Sequence, residues 1–344
     1  MARAPRQADI AAAAGVSQTT VSLVLSGNTD GLRLAEATRQ RVLEAAEQLG
    51  YVPDPVATRL ASASNRMLGV YTFASAFPTA VDGFYYPILA GIEAEAAALG
   101  QDLVLFTGTG GRGEPPDHRA AIRRTRIADG CLFFGRHVPE EPIDWLLGVG
   151  FPLVYVGRRD ELGGRIPYVG ADYVAASAAV IERLVGLGHR QIRYLRSPVD
   201  ALSSTDREQG VLAGLSKARL PVRRAVVRAE GVDAALIRSW MDDGVTAVVV
   251  EETDTGDLSA AALAAISEAG VSLPEDLSIA VLGQPRDRPD VTGFEVPRWE
   301  LGRRAVRLLV DQISGARRSD QQLLECRPIP GSTVGPPGTT ARRR

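Results

Sequence analysis

Several stretches of this chain carry side chains able to make specific interactions. GVSQTTVSLVLSG, residues 15–27, sets hydroxyls and one amide (Ser17, Gln18, Thr19, Thr20, Ser22) among aliphatic residues. Such uncharged groups donate and accept hydrogen bonds and suit recognition of a polar surface. REQG, residues 207–210, presents Arg207, whose planar guanidinium fits hydroxyls or a carboxylate. GTGGRG, residues 108–113, has the glycine spacing of a phosphate-cradling turn. That turn must open a helix inside the motif, and Glu114-Pro115-Pro116 opposes one. Asp129 stands near the ribose-binding distance but precedes a strand instead of ending one. His118, His137 and His189 fall in loop or cap positions and form no nucleophile–base set. Cys131 and Cys326 each sit in an apolar run without metal-ligand spacing. Neither catalysis nor a cofactor or metal is expected.

The elements that must carry these groups fall into three parts. From Arg6 to Gly50 the pattern is helical: RQADIAAAAG with Ile10 and Ala14 on one face, then QTTVSLVL behind Ser17 as N-cap, then about Glu36–Leu49 with Val42, Leu43, Ala46 and Leu49 in register. Three short helices, two joined by a glycine turn, match a helix-turn-helix. Within Tyr51–Asn65, Asp54 and Pro55 read as the start of a single two-turn helix, too short to be stable alone, or the stretch is a plain linker, as SASN reads at its far end. From Leu68 strands and helices alternate in two series, predicting two lobes of parallel sheet covered on both faces. LLECRPI reads as one late strand, and the end of the chain as a disordered tail. The whole is an all-α headpiece followed by a doubly wound α/β core.

Composition constrains the partners. The 344 residues carry a net charge of −2, 45% hydrophobic and 23% charged residues, which are globular values. Residues 1–66 hold seven arginines against six acids, so their sequence pattern, more than charge, must argue for nucleic acid. The opening MARAPRQADIAAAAGV lacks a signal-type apolar core, and no stretch approaches the roughly 20 residues of a membrane span. A reducing, cytoplasmic location and no membrane partner are expected.

ADIAAAAGVSQTTVSLVLSG, ATRQRVLEAAEQLGYVPDPVATRLA and the later landmarks LGHRQI, REQGVLAGL, EAGVSLPEDLSI and PRWELGRRAVRLL occur here in the order seen in one family. On these residues the chain resembles the LacI-type (lactose-repressor-like, LacI/GalR) bacterial transcription regulators. The resemblance implies a headpiece over residues 1–52, a hinge helix and linker over 53–66, and a periplasmic-binding-protein-like core. It places residues 67–158 with 287–317 in one lobe, 159–286 with 318–335 in the other, and a tail at 336–344. The crossings between lobes are expected near Gly157–Gly164, Gln284–Asp290 and Ser314–Gln321. The same resemblance makes Gln18 and Thr19 base readers, with Ser17, Thr20 and Ser22 at phosphates. Leu23 replaces a longer polar residue common in relatives, and offers only apolar contact to a base. Leu60 matches a leucine that wedges into the minor groove. Asp54 stands where relatives carry a neutral amide, and Ala35 leaves the third helix without its usual serine cap.

By the same resemblance, a small-molecule effector, a sugar or sugar-like ligand, binds between the lobes and modulates operator affinity. Arg207 is its expected anchor. Phe73, Phe84, Arg136, Arg158 and Asp172 are further candidates at strand ends. Asp254 and Asp257, in the lengthened EETDTGDL, compete for one acidic role. The family's later acid falls at Gly283 and its late arginine at Pro330, departures that point away from an ordinary sugar. Trp145, Trp240 and Trp299 are expected in packing. The resemblance also implies a homodimer reading a pseudo-palindromic duplex operator. A ligand receptor without a DNA function would leave the first sixty residues unexplained.

Overall fold

Glycine ends the first helix and serine begins the second. The computed structural model describes residues 5–26, 34–51, 64–72, 84–106, 118–135, 138–199, 201–285, 287–316 and 320–338. The chain divides into two compact units, Met1–Arg66 and Met67–Arg344. In the first, α1 (Gln7–Ala14) ends at Gly15, whose φ of 64° is left-handed and cheap only for glycine. Helix α2 (Gln18–Ser26) begins after Ser17, whose Oγ accepts the Thr20 N–H at 3.1 Å. Helix α3 (Glu36–Gln48) starts at Ala35 with no side-chain cap. Ile10, Val21 and Val42 are fully enclosed, with Ala11, Ala14, Val24, Ala45 and Ala46 around them. Leu49, expected on this stripe, lies past the last turn and is 40% exposed.

The second unit follows the alternating pattern. Its elements are β1 (Met67–Thr72), α4 (Tyr86–Ala98), β2 (Asp102–Phe106), α5 (His118–Arg124), β3 (Gly130–Phe134), α6 (Glu140–Gly148), β4 (Leu153–Val156) and β5 (Tyr168–Ala171). They continue with α7 (Tyr173–Gly186), β6 (Ile192–Arg196), α8 (Leu202–Lys217), β7 (Arg224–Val226), α9 (Ala234–Asp242), β8 (Ala247–Glu251), α10 (Asp257–Glu268) and β9 (Ser278–Leu282). The last are β10 (Thr292–Glu295), α11 (Arg298–Ile313), β11 (Gln321–Leu324) and β12 (Arg327–Ile329). One sheet has the order β11-β5-β4-β3-β1-β2, and the other β12-β10-β9-β8-β6-β7. All pairings are parallel except β10 with β12.

This topology corrects the expected crossings. β5 pairs with β4, β10 with β9, and β11 with β5, so the chain changes lobe at Asp172, at Val296–Pro297 and at Glu325–Cys326. The lobes are therefore residues 67–171 with 298–324, and 173–295 with 327–338. YVGA and TGFE are four-residue strands, each interrupted by glycine, too short to show a period. LLECRPI is two strands in two sheets, not one. Residues 336–338, expected in the tail, are packed against the core. His189, fully buried, bonds Thr246 Oγ1 through Nδ1 and the Gly335 carbonyl through Nε2, both at 2.8 Å. Beyond it, Pro337 packs beside Gly188.

In the first lobe α4 and α11 pack almost backbone to backbone. A Cβ at Gly91 would lie 2.1 Å from the Trp299 carbonyl, and one at Gly302 2.2 Å from that of Ile88. Buried Glu95 on α4 receives Arg303 at 2.7 Å and Arg307 at 2.5 Å from α11. Hydrogen bonding by Arg307, then Arg303, holds its carboxyl below the usual range despite burial.

Candidate functional site

Two surfaces, one in each unit, gather the residues singled out in the sequence. On α2, Val21 and Val24 face the headpiece core, which leaves Gln18 and Thr19 exposed at the first turn. Thr20, Ser22 and Leu23 are partly exposed beside them. Ser17 and Thr20 share a hydroxyl–hydroxyl bond of 2.8 Å, so both already serve the cap. Leu23 stays outside the cluster that Val16, Leu25, Leu34, Leu43 and Tyr51 complete. Asp54 and Leu60 lie outside the described residues.

In the core, a cavity of about 260 Å³ opens between the lobes at the carboxyl ends of their strands. Arg207 on α8 lines it, 4% exposed. Its Nε donates to the Leu282 carbonyl at 2.8 Å and its Nη1 to the Ser203 carbonyl at 3.2 Å. The guanidinium lies 3.9 Å over the Tyr173 ring. It is thus locked in orientation by neutral partners, and its charge is not spent on the acids flanking it in sequence. Glu208 instead pairs with Arg196 and Arg224.

Arg158, from the turn after β4, makes a two-pronged bond across the cleft to Asp206: Nε to Oδ2 at 2.8 Å and Nη2 to Oδ1 at 2.6 Å. Asp206 is 2% exposed. Its hydrogen bond raises the Arg158 pKa further. Arg159, also lining the cavity, stacks 4.1 Å over Tyr155 and donates to the Gly135 carbonyl. Phe84 lines the same space, edge-on to Tyr85, with Arg298 5.5 Å above its ring.

The acidic wall comes from the segment after β8. Glu251, 1% exposed, accepts the Ser197 N–H at 3.0 Å. Asp257 opens α10, taking the Thr253 hydroxyl at 2.5 Å and the Leu258 N–H at 2.9 Å. Burial pushes its carboxyl up, but the Thr253, Thr255 and Leu258 bonds more than offset this and hold it low. Asp254 lines the same cavity. At Gly283, a Cβ would lie 2.5 Å from Cβ of Glu252, so Glu252 fills the place where the resemblance expects an aspartate.

The structure brings Phe84, Arg158, Arg207, Asp254 and Asp257 to one cavity. Asp172 is placed elsewhere: its carboxylate caps α7 by accepting the Ala175 N–H at 2.9 Å. Phe73 and Arg136 lie outside the described residues. Trp145, under Arg123 and Arg126, and Trp240, under Arg193, pack as expected, whereas Trp299 is 47% exposed. Asp206, Tyr173 and Glu251 were not anticipated. Glu251 had a usable signal, as the first charge after the apolar run TAVVV. Among the described residues no cluster of metal-ligating side chains occurs. No single helix there is long and apolar enough to cross a membrane.

Residues 8–54 match the family described as bacterial regulatory proteins, lacI family, and residues 181–334 the periplasmic binding protein-like domain. The transcriptional repressor CytR of Escherichia coli K12 is 30% identical over 92% of this chain and 93% of its own length. The chain belongs to the LacI family. Other relatives are catabolite control protein A of Priestia megaterium, 28% identical over 88% of this chain and 90% of its own, and CelR of Thermobifida fusca, 29% over 91% and 93%. Among solved structures, a CelR–cellobiose complex is 25% identical with a TM-score of 0.63, covering 96% of this chain and 99% of that one. The lac repressor dimer bound to operator and the anti-inducer ONPF shares the fold, at 21% identity and a TM-score of 0.72 over 97% and 100%. This LacI-family chain is a DNA-binding transcription regulator, not an enzyme.

Proposed function

We propose that the protein is a repressor whose two headpieces, in a homodimer, read a pseudo-palindromic operator. A saccharide-like effector held between the core lobes then shifts its operator affinity. Gln18 and Thr19 read base edges, Ser17, Thr20 and Ser22 approach phosphates, and Leu23 touches a base without hydrogen bonding. Leu60 is the minor-groove wedge. The effector is gripped by Arg207 and Asp254 and rests on Phe84, with Arg158 at the lobe boundary.

The observation that carries this reading is Arg207: a buried guanidinium fixed by carbonyls and a tyrosine ring at the edge of an interlobe cavity. Its location at the strand carboxyl ends fits ligand sites in open α/β sheets. The cellobiose of the CelR complex supports the ligand class. A ligand that bridges both lobes biases their arrangement, and such coupling is typically about 1–3 kcal/mol.

The test is retardation of DNA fragments from beside the protein's own gene, with and without a saccharide panel. A retarded fragment containing an inverted repeat, and an affinity altered by a saccharide, are the expected results. Retention of unrelated DNA with equal strength would end the operator reading.

A further inference from the structure

We propose that the effector carries a protonated amine received by Glu251, which makes the ligand an amino sugar or amino-bearing polyol. This inference rests on the saccharide reading above and narrows it.

Glu251 ends β8, is almost completely buried, and lines the cavity. An ionised carboxylate offers about four acceptor positions. Here the Ser197 N–H fills one, on Oε2, and no other hydrogen bond or ion pair reaches the group among the described residues. A buried carboxylate with a single neutral donor is costly, and the cost is relieved by a charged donor.

The arginines of the cavity do not supply that donor. Arg158 is committed to Asp206, Arg159 to the Gly135 carbonyl and the Tyr155 ring, and Arg207 to two carbonyls and the Tyr173 ring. Five acids and three arginines line the described part of the cavity, a formal charge of −2. Glu252, seated against Gly283, lines the same cavity. An ammonium brings both the missing charge and up to three donors, whereas a hydroxyl brings one donor and no charge.

The experiment is calorimetric titration of the full chain with matched sugars, at a pH where the amine is charged. The probes are D-glucosamine, N-acetyl-D-glucosamine and D-glucose, and the three β-1,4-linked dimers of the same units. The expected result is an amine-bearing probe binding about tenfold or more tighter than its neutral twins, the range of a charge-assisted hydrogen bond. Glu251→Gln should remove that preference while leaving the melting temperature of the free protein close to wild type. If Glu251→Gln does not fold, the wild-type comparison decides alone. Neutral twins binding as well as the amine would overturn the inference and leave the saccharide reading standing. No binding by any of the six would overturn both.

Discussion

Gln18 and Thr19 stand exposed on the first turn of a helix whose valines are spent in the core. Replacing both by alanine should therefore leave headpiece stability nearly unchanged while weakening operator binding. A good side-chain–base pair is worth about 1–3 kcal/mol of discrimination, so a loss of at least tenfold is expected in fluorescence anisotropy. Unchanged affinity would remove α2 from the interface. At Arg207 the expected effect is of another kind. Arg207→Lys keeps the charge but loses the planar fork that spans Leu282, Ser203 and Tyr173. Operator binding without ligand should survive, and the response to the effector should fall by about tenfold or more in the same assay. These two sites were legible as residue types at set positions. Asp206 was not, because its significance depends on burial and on Arg158 in the other lobe, and Glu251 showed only as the first charge after an apolar run, its burial being a product of the fold.

At the scale of elements, caps separate what the headpiece has from what it lacks. Ser17 holds the α2 terminus, and Ala35 offers α3 nothing. Ser17→Ala should destabilise the protein by about 0.5–2 kcal/mol, and Ala35→Ser should stabilise it by up to about 1 kcal/mol, both measured by urea unfolding. A stabilising Ser17→Ala would contradict the cap geometry. The same scale explains which elements could be read beforehand. α1, α2 and the strands TAVVV and GCLFF announce themselves by glycine stops or unbroken apolar runs. β5 and β10 do not, because each is four residues with a glycine inside. Missing them moved the first two expected crossings one strand too early, and reading LLECRPI as a single strand did the same to the third. Asp172 was misread for a related reason: at the newly located crossing it is needed as the cap of α7.

At the scale of the whole molecule, the Arg158–Asp206 bond joins the lobes without any ligand. Asp206 is the more deeply buried partner, so Arg158→Ala leaves a carboxylate in the interior and should cost about 3–5 kcal/mol at most. Asp206→Asn strands only a partly exposed guanidinium and should cost less; chemical unfolding of the two variants checks the order. His189 supplies a pH dependence. Burial lowers its pKa, so below about 6.5, the ordinary histidine value, the unfolded chain takes up the proton first. Stability should then fall as pH drops through the interval from that value to the depressed native one. Melting curves of His189→Gln should lose this slope.

One measure of the crossings constrains how the halves can move. Single residue Asp172, the pair Val296–Pro297 and the pair Glu325–Cys326 are the entire lengths of chain between elements of opposite lobes. Even the two-residue straps, three residue steps from element to element, reach no more than about 11 Å when stretched. Sliding or separation is therefore barred on that side, and the remaining freedom is a turn about a line through the three short straps, like a book about its spine. Phe84 and Asp254 share a recess with Val296 of the second strap, so a molecule lodged there lies close to that line, where a small displacement turns the halves through a large angle.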